Sequence, residues 1–309
     1  MPGIGIILNP HSSANRRHPE RVRRLAFIVG DKGSCHTTQD VLDIEAIAKE
    51  FKERAIDILG ISGGDGTIHH TISTFLAVYA ARPLPSVALL RGGTMNNVAN
   101  DIGVRGTPES ILSNLILKYH GGAGFQTTSV HCLTVNGRHG FLFGNGLVAR
   151  FIEEYIRRGE GGGLKAAWLL ARGMTSCLLN SRWACELARR FDAKVTVDGT
   201  TWPFRNYVVI EAGTVQSFGL GFKPFYFARK EPGRFHVAGF SMTPRKVILH
   251  QLPIWIGRKA RSENYLEASA CDVTIELAEP MPYMIDGEIL PPTDSLRIAC
   301  GPALTMIVQ

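Results

Sequence analysis

Short apolar runs alternate with helix-period segments through the first third of the chain. Ile4 to Leu8 is an apolar run ending at Asn9-Pro10, the pattern of a buried strand stopped by a turn. Residues 19–28 are arginine-rich with interspersed Val, Leu and Phe, which predicts an amphipathic helix. A short extended segment ends at Thr37-Thr38. Val41, Ile44, Ile47, Ala48 and Phe51 then recur at helical spacing between Asp40 and Arg54. Ile58 to Ile61 reads as a second buried strand, residues 68–81 as a helix, and Val87 to Leu90 as a third strand, with a helix from Met95 onward. This rhythm predicts a parallel sheet covered on both faces, with ligands at the carboxyl ends of its strands. Three turn-forming sequences fall there: Asn9-Pro10, residues 62–67 and residues 91–94.

The pattern changes after a glycine-rich linker at 120–124. Strand-like runs dominate: 130–135, 195–197, 207–210, 235–237 and 273–277, with one helical region at about 164–191. Asn136-Gly137 and Asp198-Gly199 are hairpin signals. The expected organisation is α/β plus β: residues 1–125 as an α/β domain with a parallel sheet, and 126–299 as a β-rich antiparallel domain.

A length of 309 residues fits two domains, and 45% apolar with 20% charged residues is an ordinary globular balance. The formal net charge of +7 suits an anionic partner such as a nucleotide or an acidic lipid. Basic pairs (Arg157-Arg158, Arg189-Arg190, Arg229-Lys230, Arg245-Lys246, Arg258-Lys259) are spread through the second half and could meet a flat anionic membrane. No nucleic-acid-binding signature accompanies them, so nucleic acid is not an expected partner. The start lacks signal-peptide features and no stretch approaches twenty apolar residues, so we expect a cytoplasmic protein with peripheral contact on the inner membrane face. Six scattered cysteines without a CxxC pair read as reduced thiols, most of them buried.

Gly63-Gly64-Asp65-Gly66-Thr67 follows a strand and opens a helix. Glycines admit an anion close to backbone N–H groups, the helix N-terminus adds favourable charge, and Thr67 offers a hydroxyl. Asp65 is out of place beside phosphates unless it orients Mg²⁺ or a ribose. Gly92-Gly93-Thr94-Met95-Asn96-Asn97 repeats the arrangement at the next strand end, and the two loops could clamp one nucleotide. Asp286-Gly287-Glu288 sets two carboxylates around a glycine; a carboxylate can take a hydroxyl proton during phosphoryl transfer, although Asp-Gly is also a common turn pair. His69-His70 point in different directions on a helix and make a poor metal pair. The GxGxxA match at 144–149 stands in the wrong surroundings for a dinucleotide loop, and the Trp168, Leu169 and Leu170 cluster reads as core. No Walker P-loop is present.

These motifs, in this order, resemble the diacylglycerol kinase catalytic-domain family, which includes sphingosine kinases and is more distantly related to NAD kinases. Ile7 to Pro10, Gly63 to Thr67, Gly93 to Asn96, the stretch from Gly219 to Pro224, and Asp286 to Glu288 carry the resemblance. It implies an N-terminal three-layer domain, a β-rich C-terminal domain with the lipid site, a cleft between them, and a last strand at about 300–309 that returns to the first domain. It implies an ATP- and Mg²⁺-dependent kinase of lipid metabolism acting on diacylglycerol, a sphingoid base or a related lipid alcohol. Asn9, Thr37, Gly63, Gly64, Asp65, Gly66, Thr67, Gly93, Thr94 and Asn96 would contact ATP, with Mg²⁺ near Asp65. Asp286 or Glu288 would deprotonate the acceptor. A homodimer is compatible with this reading. Departures are His70 and Asn97, where the family has acids, and Pro232, where an aspartate supports a structural Mg²⁺. Alternatives are a non-catalytic nucleotide- or lipid-binding regulator and an NAD kinase-like enzyme.

Overall fold

A computed structural model describes residues 3–30, 33–38, 40–93, 96–158, 162–179, 181–218, 222–255 and 262–308. In chain order the elements are β1 (Ile4–Leu8), α1 (Ser13–Arg17), α2 (Glu20–Val29), β2 (Gly33–Thr37), α3 (Val41–Glu53), β3 (Ile58–Ser62), α4 (Asp65–Tyr79), β4 (Ser86–Leu89), α5 (Asn97–Asp101) and α6 (Pro108–His120). They continue as β5 (Gln126–Val135), β6 (Arg138–Gly140), β7 (Leu142–Asn145), α7 (Leu147–Arg157), α8 (Gly162–Leu178), α9 (Arg182–Leu187), β8 (Phe191–Val197), β9 (Thr200–Thr201), β10 (Asn206–Tyr207) and β11 (Val209–Gly213). The last are β12 (Phe235–Phe240), α10 (Pro244–Trp255), β13 (Tyr265–Ala270), β14 (Asp272–Ile285) and β15 (Glu288–Val308). The chain divides into two compact units, Met1–Val130 with Ala303–Gln309, and His131–Pro302. The segments Gly219–Gly221 and Arg258-Lys259, named above, lie outside the described residues, as do Thr94 and Met95.

The first unit is a parallel sheet in the order β2-β1-β3-β4, with the end of β15 beside β4 through Met306 opposite Val87. Every residue of β1 and β3 is buried, so both faces of the sheet are covered, and the run of apolar residues is what such a position demands. The cover is helical, α2 packing on α6 and α3 on α4. Register brings the carboxyl ends level: Leu8 lies opposite both Thr37 and Ser62, and Ile61 opposite Leu89.

The second unit is antiparallel. Its strands run β13-β12-β11-β7-β14, and β14 also pairs with β8 and β15. Three two-residue hairpin turns have positive φ at both central positions: Asn136 and Gly137 (47° and 80°), Asp198 and Gly199 (46° and 82°), and Asp286 and Gly287 (50° and 93°). That is the backbone whose twist suits adjoining antiparallel strands. The Trp168 expectation is corrected. α8 is one-sided, with Leu169 and Cys177 buried, while Trp168 is 57% exposed beneath the Arg172 guanidinium. The cysteine expectation is corrected too: among the six, Cys132 and Cys177 are buried and the others lie at partly or fully exposed positions.

Two buried titratable groups on neighbouring strands set an expected pH response. Burial pushes the Glu211 carboxyl on β11 up to about 8. Burial, then the Lys230 charge, pushes the His236 imidazole on β12 down to about 3. Between their ordinary values of 4.5 and 6.5 the two linkages oppose: Glu211 favours folding at lower pH and His236 at higher pH. Above 6.5 only the Glu211 linkage operates, so stability falls until pH reaches its folded value of about 8. At roughly 1.4 kcal/mol per pH unit, the loss between neutral and mildly alkaline pH is on the order of 2 kcal/mol. Denaturant titrations across pH 6.5–8 should show this fall in the wild type and its absence in Glu211→Gln. Equal slopes would overturn the assignment.

Candidate functional site

The site in the first unit is built at the carboxyl edge of the parallel sheet. Asn9 follows β1 directly, and its N–H donates to Ser62 O at 2.9 Å, tying the ends of β1 and β3. Its side chain divides its two functions: Nδ2 donates to Thr67 Oγ1 at 2.9 Å, while Oδ1 accepts from His11 N at 2.8 Å and shapes the turn. Asn9 therefore holds the threonine of the glycine loop from the neighbouring strand end.

The loop itself differs from expectation in one respect. α4 starts at Asp65 with Gly64 as its cap, so Asp65, Gly66 and Thr67 form the first helical turn rather than a loop ahead of it. The N–H groups of a first turn lack intrahelical acceptors and carry the positive end of the helix dipole. Placed at the edge of a sheet, they suit phosphate oxygens. Two close approaches explain the glycines. A Cβ on Gly63 would lie 2.3 Å from Thr67 Cβ, and one on Gly93 would lie 2.4 Å from Gly64 Cα. The second contact shows that the two glycine loops touch through their backbones.

Asn96 holds the second loop in shape. It sits buried at φ 50° and ψ 48°, accepts from Gly93 N through Oδ1 at 3.0 Å, and returns Nδ2 to Gly93 O at 2.9 Å. Thr37 ends β2 opposite Leu8 and is exposed. The buried Thr38 makes the connection, its N–H and hydroxyl reaching Leu8 O at 3.0 and 3.5 Å. Thr94 lies outside the described residues. His70 is partly exposed on α4 and Asn97 is buried at the start of α5.

Sequence reasoning missed Asn15. Its side chain is buried, and Nδ2 donates to Asn9 O at 2.8 Å and faces Ser62 O and Oγ at 3.3 Å. Ser12 joins it, with its hydroxyl on Asn9 O at 3.0 Å and Gly92 O at 2.9 Å. Polar residues following an Asn-Pro turn were the available signal.

In the second unit, Asp286 and Gly287 form the turn between β14 and β15. The Asp286 carboxylate accepts from Phe141 N at 3.0 Å and Leu142 N at 2.8 Å, and its own N–H donates to Leu142 O at 2.9 Å. Asp286 thus pins the turn to the link between β6 and β7. Glu288, the first residue of β15, is exposed. The turn geometry and the paired carboxylates coexist, and the structure gives the two acids different surroundings.

The structural Mg²⁺ implied by the resemblance does not fit this chain. Pro232 has no carboxylate, and the nearby Arg234 already brings a cation: its Nη2 lies 2.6 Å from Asp198 Oδ2 and its Nε 3.2 Å from Ser269 Oγ. Among the described residues, no helix is long and apolar enough to cross a membrane.

A parallel sheet whose carboxyl edge presents two touching glycine loops and a helix N-terminus is an α/β arrangement suited to an anion. Residues 4–123 match the family model for the diacylglycerol kinase catalytic domain. A solved structure of a candidate diacylglycerol kinase from Bacillus anthracis str. Sterne is similar, with a TM-score of 0.72 and 21% identity over 99% of this chain and 97% of that one. A diacylglycerol kinase structure from the same organism has a TM-score of 0.68 and 19% identity at the same coverage. At these identities the likeness is one of fold. No curated protein sequence matches the chain.

Proposed function

We propose that the protein is an ATP-dependent kinase that transfers the γ-phosphoryl group to the hydroxyl of a lipid alcohol. The observation that carries this is the backbone contact between Gly64 and Gly93, which joins both glycine loops beside the α4 N-terminus. Kinases of the matched family use ATP. The first-turn N–H groups of α4 and the Thr67 hydroxyl are suited to the phosphates, and Asp65 to the Mg²⁺ that accompanies ATP. Asn9 and Asn96 act by fixing the loops. In the second unit, the exposed Glu288 is the base that takes the acceptor proton as the oxygen bonds to phosphorus and ADP departs. Asp286, occupied by two backbone amides, positions the turn.

The test is transfer of label from ATP to a lipid panel containing diacylglycerol, a sphingoid base and other lipid alcohols. A labelled lipid is expected. ATP binding without transfer would favour the regulator, and NADP formation would favour the soluble-acceptor alternative.

A lipid acceptor requires a membrane encounter, and we assign peripheral contact to the helical surface of the second unit. Trp168 (57% exposed), Leu179 (80%) and Leu249 (52%) stand out from α8, its end and α10. Arg157, Arg172 and Arg245 supply positive charge on the same helices or their neighbour α7. Exposed apolar side chains with arginines fit an anionic bilayer. Binding to phosphatidylglycerol vesicles should weaken about tenfold in Leu179→Ser, the effect of losing one buried leucine. Unchanged vesicle affinity would remove this surface.

A further inference from the structure

Two cysteines occupy the end of the β14–β15 hairpin opposite the Asp286 turn. Asp272 pairs with Ala299, and continuing that register by one residue sets Cys271 opposite Cys300. The hydrogen bond from Cys300 N to Cys271 O, 3.0 Å, continues the pairing to this position. Directly opposed residues of an antiparallel pair project to the same face with Cα atoms roughly 5.5 Å apart, inside the range a disulfide spans. The Cys300 thiol is pushed up by burial and then by Cys271, so the two sulfurs are close enough to feel each other.

Their surroundings divide the chemistry. Cys271 is exposed, and Arg234 Nη1 approaches its Sγ at 3.1 Å. The guanidinium lies where it can hydrogen-bond the sulfur as it attacks. The loop around it is pinned, because Asp198 Oδ1 accepts from both Cys271 N and Asp272 N at 2.9 Å. Cys300 is partly buried against the second unit's apolar core, next to its partner.

We propose that Cys271 and Cys300 are an oxidisable thiol pair that closes to an intramolecular disulfide when the protein meets a hydroperoxide. The Cys271 thiolate attacks the peroxide O–O bond, giving a sulfenic acid and releasing hydroxide or alkoxide, which takes a proton. The Cys300 sulfur then attacks the sulfenic sulfur. An S–S bond forms, the S–O bond breaks, and the departing hydroxide leaves as water with the Cys300 proton. The peroxide is the two-electron oxidant and the thiol pair is the reductant. The bond would staple the base of the hairpin whose tip carries Asp286 and Glu288. This inference is independent of the kinase reading.

The test treats the full chain with hydrogen peroxide, alkylates remaining thiols and maps peptides by mass spectrometry. The expected result is a cross-linked peptide pair containing Cys271 and Cys300, with both residues lost to alkylation and both recovered after dithiothreitol. Cys300→Ser should abolish the cross-link and leave Cys271 trapped as a sulfenic acid by dimedone. Arg234→Gln should slow closure several-fold, and Arg234→Lys should restore most of the rate. Continued alkylation of both cysteines after peroxide would overturn the proposal. So would a bridge from Cys300 to Cys132, or a bridge from Cys271 to a second chain.

Discussion

Glu288→Gln is expected to lower kcat for lipid phosphorylation by about 10²–10⁴, the usual weight of a general base. ATP affinity should change by no more than about twofold, because nothing in the substitution alters ground-state nucleotide contacts. Asp286→Asn should behave differently. Its Oδ1 accepts from both Phe141 N and Leu142 N and its Oδ2 from Phe141 N, so an amide removes the charge and sets an NH₂ donor against the Phe141 N–H. A hydrogen bond to a charged acceptor is worth about 1.5–3 kcal/mol, so this variant should lose thermal stability as well as activity. Measuring kcat, KM for ATP and the melting temperature on both variants separates the roles. An active Glu288→Gln beside a well-folded, inactive Asp286→Asn would reverse the assignment.

The reason these two acids could not be told apart from sequence is visible in their partners. Asp286 is bonded to backbone groups 144 and 145 residues away, a relation no local pattern encodes. Strands β1 and β3, in contrast, were legible as apolar runs because a parallel strand buried on both faces needs nothing else. The Asn136-Gly137 and Asp198-Gly199 hairpins were legible because only residues tolerant of positive φ suit those turns.

Misreadings follow the same logic. Gly66 marks a poor helix interior, so the α4 start was placed after the glycine loop. The observed helix begins at Asp65, held by Asn9 through Thr67. α10 was missed because it begins at Pro244 and contains Pro253. Trp168 was assigned to the core on apolarity alone, yet it lies on the solvent side of a one-sided helix. Asn15 stood only as one polar residue after the Asn-Pro turn, because its partners Asn9 O and Ser62 O are supplied by two strand ends.

Gly93→Ala is expected to be the most damaging single-methyl change in the proposed nucleotide site. Its Cβ would fall 2.4 Å from Gly64 Cα, a backbone atom that can yield only if the two loops part. Overpacking of this kind costs about 1–3 kcal/mol. If the phosphates bridge both loops, ATP affinity should fall by about tenfold to a hundredfold, the equivalent of the same energy. Gly66→Ala is the informative partner. A Cβ there meets nothing within 4 Å, and alanine is the better helix former by about 1 kcal/mol. That variant should fold at least as well as the wild type. If it nevertheless loses ATP, the open space over Gly66 belongs to the phosphates. If Gly66→Ala and Gly93→Ala both bind ATP normally, the α4 N-terminus is not where the nucleotide sits. Calorimetric titration with ATP, alongside melting curves, distinguishes a lost ligand from a lost fold, and the contrast between the two alanines is sharper than either substitution alone.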